Sequence, residues 1–263
     1  MGFSKDKRDA YFRLAKKEGW RSRSAYKLLQ INEKFNIFSG VQRAIDLCAA
    51  PGGWSQVLSR IFALQSVSSE SVERGRSDYK VIAVDLQPMA PLPGVTQIQG
   101  DITKECTVKT IMEYCHGRKA ELVVCDGAPD VTGLPDVDEY YQAQLLLSAL
   151  NISLLVLEEG ATFVAKIFRG RDVTLLYSHL KQYFATVTCC KPRCSRNSSI
   201  EAFVICQNLR IPPAMTPNIN FPLLDHLYDD NCNTLEGPHR VTATFLACGE
   251  LNAYDSDSTY ELE

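Results

Sequence analysis

Residues 44–58 read AIDLCAAPGGWSQVL. An apolar run ends at Asp46, a loop of small residues carries Pro51, Gly52 and Gly53, and an amphipathic stretch opens at Trp54 or Ser55. Strand, small-residue loop and helix in that order are the first unit of an open α/β sheet, which binds its ligands at the carboxyl ends of its strands. Glycines there let backbone approach a ligand closely. The helix start offers unpaired N–H groups and the positive end of a dipole, which suit a carboxylate. The spacing is not G-x-G-x-x-G, and no P-loop lysine follows, which weighs against NAD and ATP.

Outward from this unit, strand-like runs alternate with helical patterns between residues 41 and 206: KVIAVDL; VTQIQGD then VKTIMEYC; AELVVCD then YYQAQLLLSALNISLLVLEE; ATFVAKIF then VTLLYSHLKQYF. That alternation predicts a mostly parallel sheet with helices on both faces. ATVTCC and SIEAFVIC are separated only by the loop KPRCSRNSS, so they are expected to pair antiparallel at one edge. Two basic amphipathic helices are expected at about 6–18 and 22–35. The Ser-rich and charged segment 65–80 reads as a surface insertion, and after Asn208 the pattern gives way to IPPAMTPNINFP and an acidic tail. The expected organisation is one α/β domain over 1–208, including the basic helices of 1–35, and a Pro-rich then acidic tail over 209–263 that could dock a partner.

Charge is unevenly placed although the net value is only −3. Residues 1–30 hold nine Lys/Arg against three Asp/Glu, residues 166–196 hold seven against Asp172 alone, and residues 225–263 hold one against nine. Two basic segments brought together would form a phosphate-binding face; the alternative is ordinary solvated surface. No apolar run reaches the roughly 20 residues of a spanning helix, and MGFSKDKRDAYFR is too charged for a signal peptide, so a cytoplasmic protein away from membranes is expected. The ten cysteines are read as reduced thiols. Cys189, Cys190 and Cys194 with His179 are the one sharper alternative, a zinc site, but no C-x-x-C pair exists and no metal is expected.

Chemistry-bearing residues fall at the ends of the strand-like runs. Asp85 closes IAVDLQP, where a carboxylate can accept from ribose hydroxyls, and Asp101 closes IQGD, where it could accept from an adenine amino group. Asp126 lies in VVCDGAPD, and Lys166 ends the apolar run of FVAKIFRG, a costly place for an ammonium group without a partner or a task. Glu201 in SSIEAFVIC and Lys27 in SAYKLL also interrupt apolar patterns. Each alone is explained as well by a salt bridge or a polar strand end.

Taken together, DLCAAPGGWSQVL, SAYKL, CDGAPD, VAKIFRG and SSIEAF resemble the FtsJ family of RNA 2′-O-ribose methyltransferases over roughly residues 5–207. The resemblance implies a Rossmann-like S-adenosylmethionine-dependent methyltransferase fold, a seven-stranded sheet with one antiparallel edge strand. It implies a catalytic tetrad of Lys27, Asp126, Lys166 and Glu201, and a cofactor site lined by Gly52, Gly53, Trp54, Asp85, Asp101 and Asp126. Lys166 is then the base or the stabiliser of the 2′-alkoxide. Burial and Lys27 would lower its pKa, and Asp126 and Glu201 would raise it.

Within that family SKDKRDAYFRLAKKEGWRSRSAYKLLQ, PDVTGLPDVDEY, FRGRD and CCKPRCSRNSSIEAF most resemble the eukaryotic cytoplasmic branch, which methylates tRNA anticodon-loop riboses 32 and 34. That branch works with separate partners that choose the position, a WD-repeat protein and a large helical-repeat protein. The basic helices and the Lys191–Arg196 loop would then neutralise phosphates beside the site. The alternatives are an rRNA or mRNA-cap 2′-O-methyltransferase with the same chemistry, a nicotinamide-dependent oxidoreductase on a similar sheet, and a catalytically dead RNA-binding adaptor.

Overall fold

The computed structural model describes residues 9–68, 79–129, 132–170, 173–213, 215–220, 241–250, 252–258 and 260. Most of the segment 65–80, residues 1–8 of the basic N-terminus, Asp172, and residues 221–240 of the tail lie outside the described residues.

The elements follow in the order α1 (Ala10–Glu18), α2 (Ala25–Phe35), β1 (Arg43–Leu47), α3 (Gly53–Ser68), β2 (Lys80–Asp85), β3 (Val95–Gln99), α4 (Glu105–Tyr114), β4 (Ala120–Cys125), α5 (Pro135–Val156), β5 (Leu157–Phe168), α6 (Val173–Tyr183), β6 (Phe184–Pro192), β7 (Glu201–Leu209) and β8 (Thr244–Cys248). They build one sheet ordered β3-β2-β1-β4-β5-β7-β6-β8.

The first five strands pair in parallel, as strand–crossover–strand units must. Their period of two divides the core between the faces. Leu122, Val124, Val164 and Phe203 pack under α2 and α3 with Leu28, Ile31, Trp54 and Leu58. Val123, Phe163, Ala165 and Val204 pack under α4, α5 and α6 with Ile111, Leu146, Leu150 and Leu180. Both faces are covered, which explains why these strands read as continuous apolar runs. Asp9 caps α1 by accepting from Phe12 N–H at 3.2 Å, and α1 ends at Gly19 in the left-handed region.

Two expectations need correction. The sheet has eight strands, not seven, because Thr244–Cys248 returns to pair in parallel with β6. The antiparallel strand is β7, and it is not an edge: it lies between β5 and β6, antiparallel to both. The crossover through α6 sets β6 one position beyond β5, and the tight 193–200 connection then folds β7 back into the gap. Among the described residues no helix is long and apolar enough to cross a membrane, and no group of three or more His, Cys, Asp or Glu could hold a metal ion.

Candidate active site

The loop after β1 turns sharply, with Cys48 at φ 55° and Gly52 at φ 102°. Its amides are tied to β2: Ala49 N–H donates to Val84 O at 3.1 Å and Ala50 N–H to Asp85 Oδ2 at 2.8 Å. Gly53 is glycine for space, since a Cβ there would fall 2.2 Å from Ser22 Oγ. Trp54 is buried, donates from Nε1 to Ser24 O at 2.9 Å and packs its ring 5.6 Å from that of Phe203. It therefore fastens α3 to the start of α2.

Over the carboxyl ends of β1 to β4 opens a cleft of about 1040 Å³. Asp85, Asp101 and Asp126 line it, together with Leu86, Met89, Ile102, Pro129 and Leu145. Gly53 and Trp54 line a small pocket of about 40 Å³ that shares Cys48, Ala50, Pro51 and Asp126 with the cleft. Gly52 lines neither; it is closed in by Leu92 and Arg21. The apolar lining was not identified from sequence, because Leu86, Ile102 and Leu145 look like any strand-end or helix residue until the fold exposes them to the cleft.

Beside Asp126, which lines the cleft, four charged side chains from α2, the loop after β4, β5 and β7 meet. Lys27 Nζ lies 2.8 Å from Glu201 Oε2 and 3.7 Å from Asp126 Oδ1. Lys166 Nζ lies 3.2 Å from Asp126 Oδ1 and 3.9 Å from Glu201 Oε2, and donates to Asp126 O at 2.9 Å. Each ammonium thus touches both carboxylates, and all four side chains are at most 17% exposed. Burial alone would depress the Lys27 pKa, but Asp126 and Glu201 outweigh it and raise it above the ordinary lysine value. Burial would likewise raise the Glu201 pKa, yet Lys27 and Lys166 pull it down to about 2.

Supporting donors complete the cluster. Ser24 donates to Asp126 Oδ2, and Ser195 donates to Glu201 Oε1 at 2.6 Å. Gln142, buried in α5, donates to Gly127 O at 3.2 Å and to Lys166 O at 3.1 Å. Sequence reasoning missed all three. Ser24 does carry a signal, standing one helical turn before Lys27, and Gln142 interrupts the apolar run of α5. Asp126 Oδ1 is buried between the two ammonium groups, 3.2 Å from Lys166 Nζ and 3.7 Å from Lys27 Nζ.

Several cations of the two basic segments brace the fold. Arg21 donates to Ala90 O at 2.7 Å and Pro91 O at 2.5 Å. Arg23 contacts Asp9 and Cys194 O, and donates to Ser256 Oγ at 2.6 Å. Lys191 donates to Ser199 O and Glu201 O at 2.6 and 2.9 Å.

Comparison with known proteins follows the same outline. The profile of the FtsJ-like methyltransferase family matches residues 20–209. A Mus musculus protein named tRNA (cytidine(32)/guanosine(34)-2′-O)-methyltransferase is 62% identical over 260 residues, 99% of this chain and 77% of that protein. A Schizosaccharomyces pombe protein of the same name is 53% identical, covering 99% of this chain and 87% of its own length. Among solved structures, a putative ribosomal RNA methyltransferase from Plasmodium falciparum superposes with a TM-score of 0.61 at 25% identity, over 72% of this chain and 98% of that one.

Proposed function

The chain belongs to the FtsJ-like methyltransferase family, and from that premise we propose that it methylates the ribose 2′-hydroxyls of nucleotides 32 and 34 in the tRNA anticodon loop, the positions in its relatives' names. The methyl donor is S-adenosylmethionine. The observation that carries the reaction is the closed ring of Lys27, Glu201, Lys166 and Asp126, joined to the cleft through Asp126.

The residues of the cleft fit an adenosine-bearing cofactor. Its volume of about 1040 Å³ suffices, and carboxylates stand at the ends of β2, β3 and β4. Asp85 suits ribose hydroxyls and Asp101 an exocyclic amine. The cofactor supplies a methyl group on positively charged sulfur. Lys166 would stabilise the negative charge that grows on the 2′-oxygen as it bonds to the methyl carbon, releases its proton to solvent water and leaves the sulfur a neutral thioether. Lys27, kept protonated by its two carboxylates, adds a fixed positive charge. Glu201 holds both ammonium groups in place, and Asp126, shared between ring and cleft, aligns the two reactants.

In this reading residues 1–208 carry the chemistry. A WD-repeat partner and a large helical-repeat partner, both implied by the family resemblance, choose between the two positions, in the cytoplasm. The test is transfer of labelled methyl to total tRNA, with and without those partners, followed by nucleoside mapping. Label in 2′-O-methylated nucleotides 32 and 34 is expected; label confined to ribosomal or capped RNA overturns the tRNA assignment and leaves the chemistry.

A further inference from the structure

The loop after β2 forms one wall of the cleft, and Pro88, Pro91 and Pro93 interrupt it. Proline has no N–H, so this wall is held largely through its carbonyls. Gln99 Nε2 donates to Leu86 O at 3.0 Å, Gln97 Nε2 to Ala90 O at 3.0 Å, and Ser59 Oγ to Pro93 O at 2.6 Å. Those donors stand on or beside β3 and on α3. Arg21, in the segment between α1 and α2, ties the wall to something else: its Nη1 donates to Ala90 O at 2.7 Å and to Pro51 O at 3.2 Å, and its Nη2 to Pro91 O at 2.5 Å. One guanidinium therefore spans the loop after β1 and the loop after β2, and Ala50 and Pro51 from the first and Leu86 to Ala90 from the second line the cleft.

The chain makes room for this bridge. A Cβ on Gly52 would stand 3.1 Å from Arg21 Nη1 and 3.0 Å from Leu92 Cδ1, so Gly52, which lines neither pocket, lets the guanidinium pass close to the loop. Arg21 is also fixed at its base: its backbone N–H donates to Gln56 Oε1 at 2.8 Å, and Gln56 Nε2 donates to Gly19 O at 2.8 Å. Both hydrogens of Nη1 are committed to carbonyls. A flat fork of donors can serve several carbonyls at once, whereas an ammonium is a compact point charge.

We infer that Arg21 is a positioning residue for S-adenosylmethionine: it draws the 88–92 loop against the 50–53 loop and sets the width of the cleft before the cofactor enters. This rests on the reading that the cleft holds the cofactor. Arg21 acts through the two loops. Without it the cofactor has to order the wall as it binds, which weakens binding.

The test uses the full chain with Arg21→Gln, Arg21→Lys and Gln97→Met, the last removing the other side-chain donor to Ala90 O. In equilibrium dialysis with S-adenosylmethionine and no RNA, both Arg21 variants are expected to bind about tenfold more weakly, the scale of one charge-assisted hydrogen bond, and Gln97→Met a fewfold more weakly. KM for S-adenosylmethionine should rise in step, while kcat at saturating cofactor and RNA affinity hold within about twofold. In the cofactor-free chain, amide exchange at Met89, Ala90 and Leu92 should quicken. Unchanged cofactor affinity in Arg21→Gln overturns the inference. So does RNA affinity that falls in Arg21→Gln and returns in Arg21→Lys with cofactor affinity intact, which assigns the guanidinium to phosphate. Should the Arg21 variants unfold, unchanged cofactor affinity in Gln97→Met overturns it in their place. A wild type that binds no S-adenosylmethionine overturns the reading of the cleft itself, and the role of Arg21 with it.

Discussion

The two halves of the sheet handle acidic groups in opposite ways. At the ends of β1, β2 and β3, carboxylates are satisfied by neutral donors: Ser55 Oγ on Asp46 at 2.6 Å, Ala50 and Gln87 N–H on Asp85 at 2.8 Å each, Thr103 N–H and hydroxyl on Asp101 at 2.9 and 2.7 Å. At β5 and β7 every carboxylate of the cluster meets two ammonium groups. Among the described residues the first half lines the cleft with Asp85 and Asp101, neither of them ion-paired, and with the single cation Arg21, an environment that suits a cationic ligand such as a sulfonium. The second is electrically balanced and buried, so its charges are held in fixed places rather than spent on binding. Asp126 belongs to both, lining the cleft and pairing with both ammonium groups, so the proposed reaction runs at the seam.

If that division holds, removing Lys166 should abolish chemistry without touching cofactor binding. Lys166→Ala is expected to lower methyl transfer roughly 10³-fold or more, the scale of a lost proton-handling or charge-stabilising group. Cofactor affinity, followed by equilibrium dialysis, should stay within about twofold. A parallel collapse of cofactor affinity in a folded variant would show that the halves are not separable.

A second effect separates them by pH. Burial, aided by Asp126 and Asp85 and opposed by the Ser55 hydrogen bond, lifts the Asp46 carboxyl from 3.8 to about 7. Because the folded pKa lies above the unfolded one, the fold binds the extra proton between those values. The Asp46 contribution to stability is therefore greatest below about pH 4 and falls as pH rises toward 7, by up to about 4 kcal/mol. Asp46→Asn should remove that slope and be the more stable protein at pH 8, as measured by urea unfolding at pH 5 and pH 8. Equal slopes for the two proteins would mean that Asp46 ionises normally.

How far the sequence revealed this molecule follows the same line. The parallel half was legible because each apolar run from β1 to β5 announces a strand buried on both faces, and a small-residue loop marks where ligands enter. The four charged residues stood out at strand ends or inside apolar patterns, but only the resemblance to the FtsJ family joined them into one site. β8 was not legible: Phe245 to Cys248 is a short apolar run, but it stands alone after the Pro-rich stretch, and in the structure only Cys248 of Thr244–Cys248 is buried. The inward placement of β7 depends on where α6 lets β6 land, which no local pattern records. The braces made by Arg21, Arg23 and Lys191 were hidden for a related reason, since their acceptors are mostly backbone carbonyls far away in sequence.

The smallest expected effect tests how the tail reaches the balanced half. Tyr254 packs edge-on against Tyr11 at 6.4 Å and against Tyr260 at 4.9 Å, and the Tyr11 ring in turn lies tilted 5.3 Å from that of Tyr26, the neighbour of Lys27. The Tyr11 hydroxyl donates to the backbone carbonyl of Tyr254 at 2.9 Å, a bond that survives loss of the Tyr254 ring. Tyr254→Ala should therefore cost only the ring contacts, about 1–2 kcal/mol, and lower Tm by roughly 2–4 °C per kcal/mol for a chain of this size. Because the ring chain ends beside Lys27 and far from Asp85 and Asp101, turnover should fall a fewfold while cofactor affinity holds. A loss of cofactor affinity matching the loss of turnover would place the tail's influence on the parallel half instead, and the division drawn above would have to move.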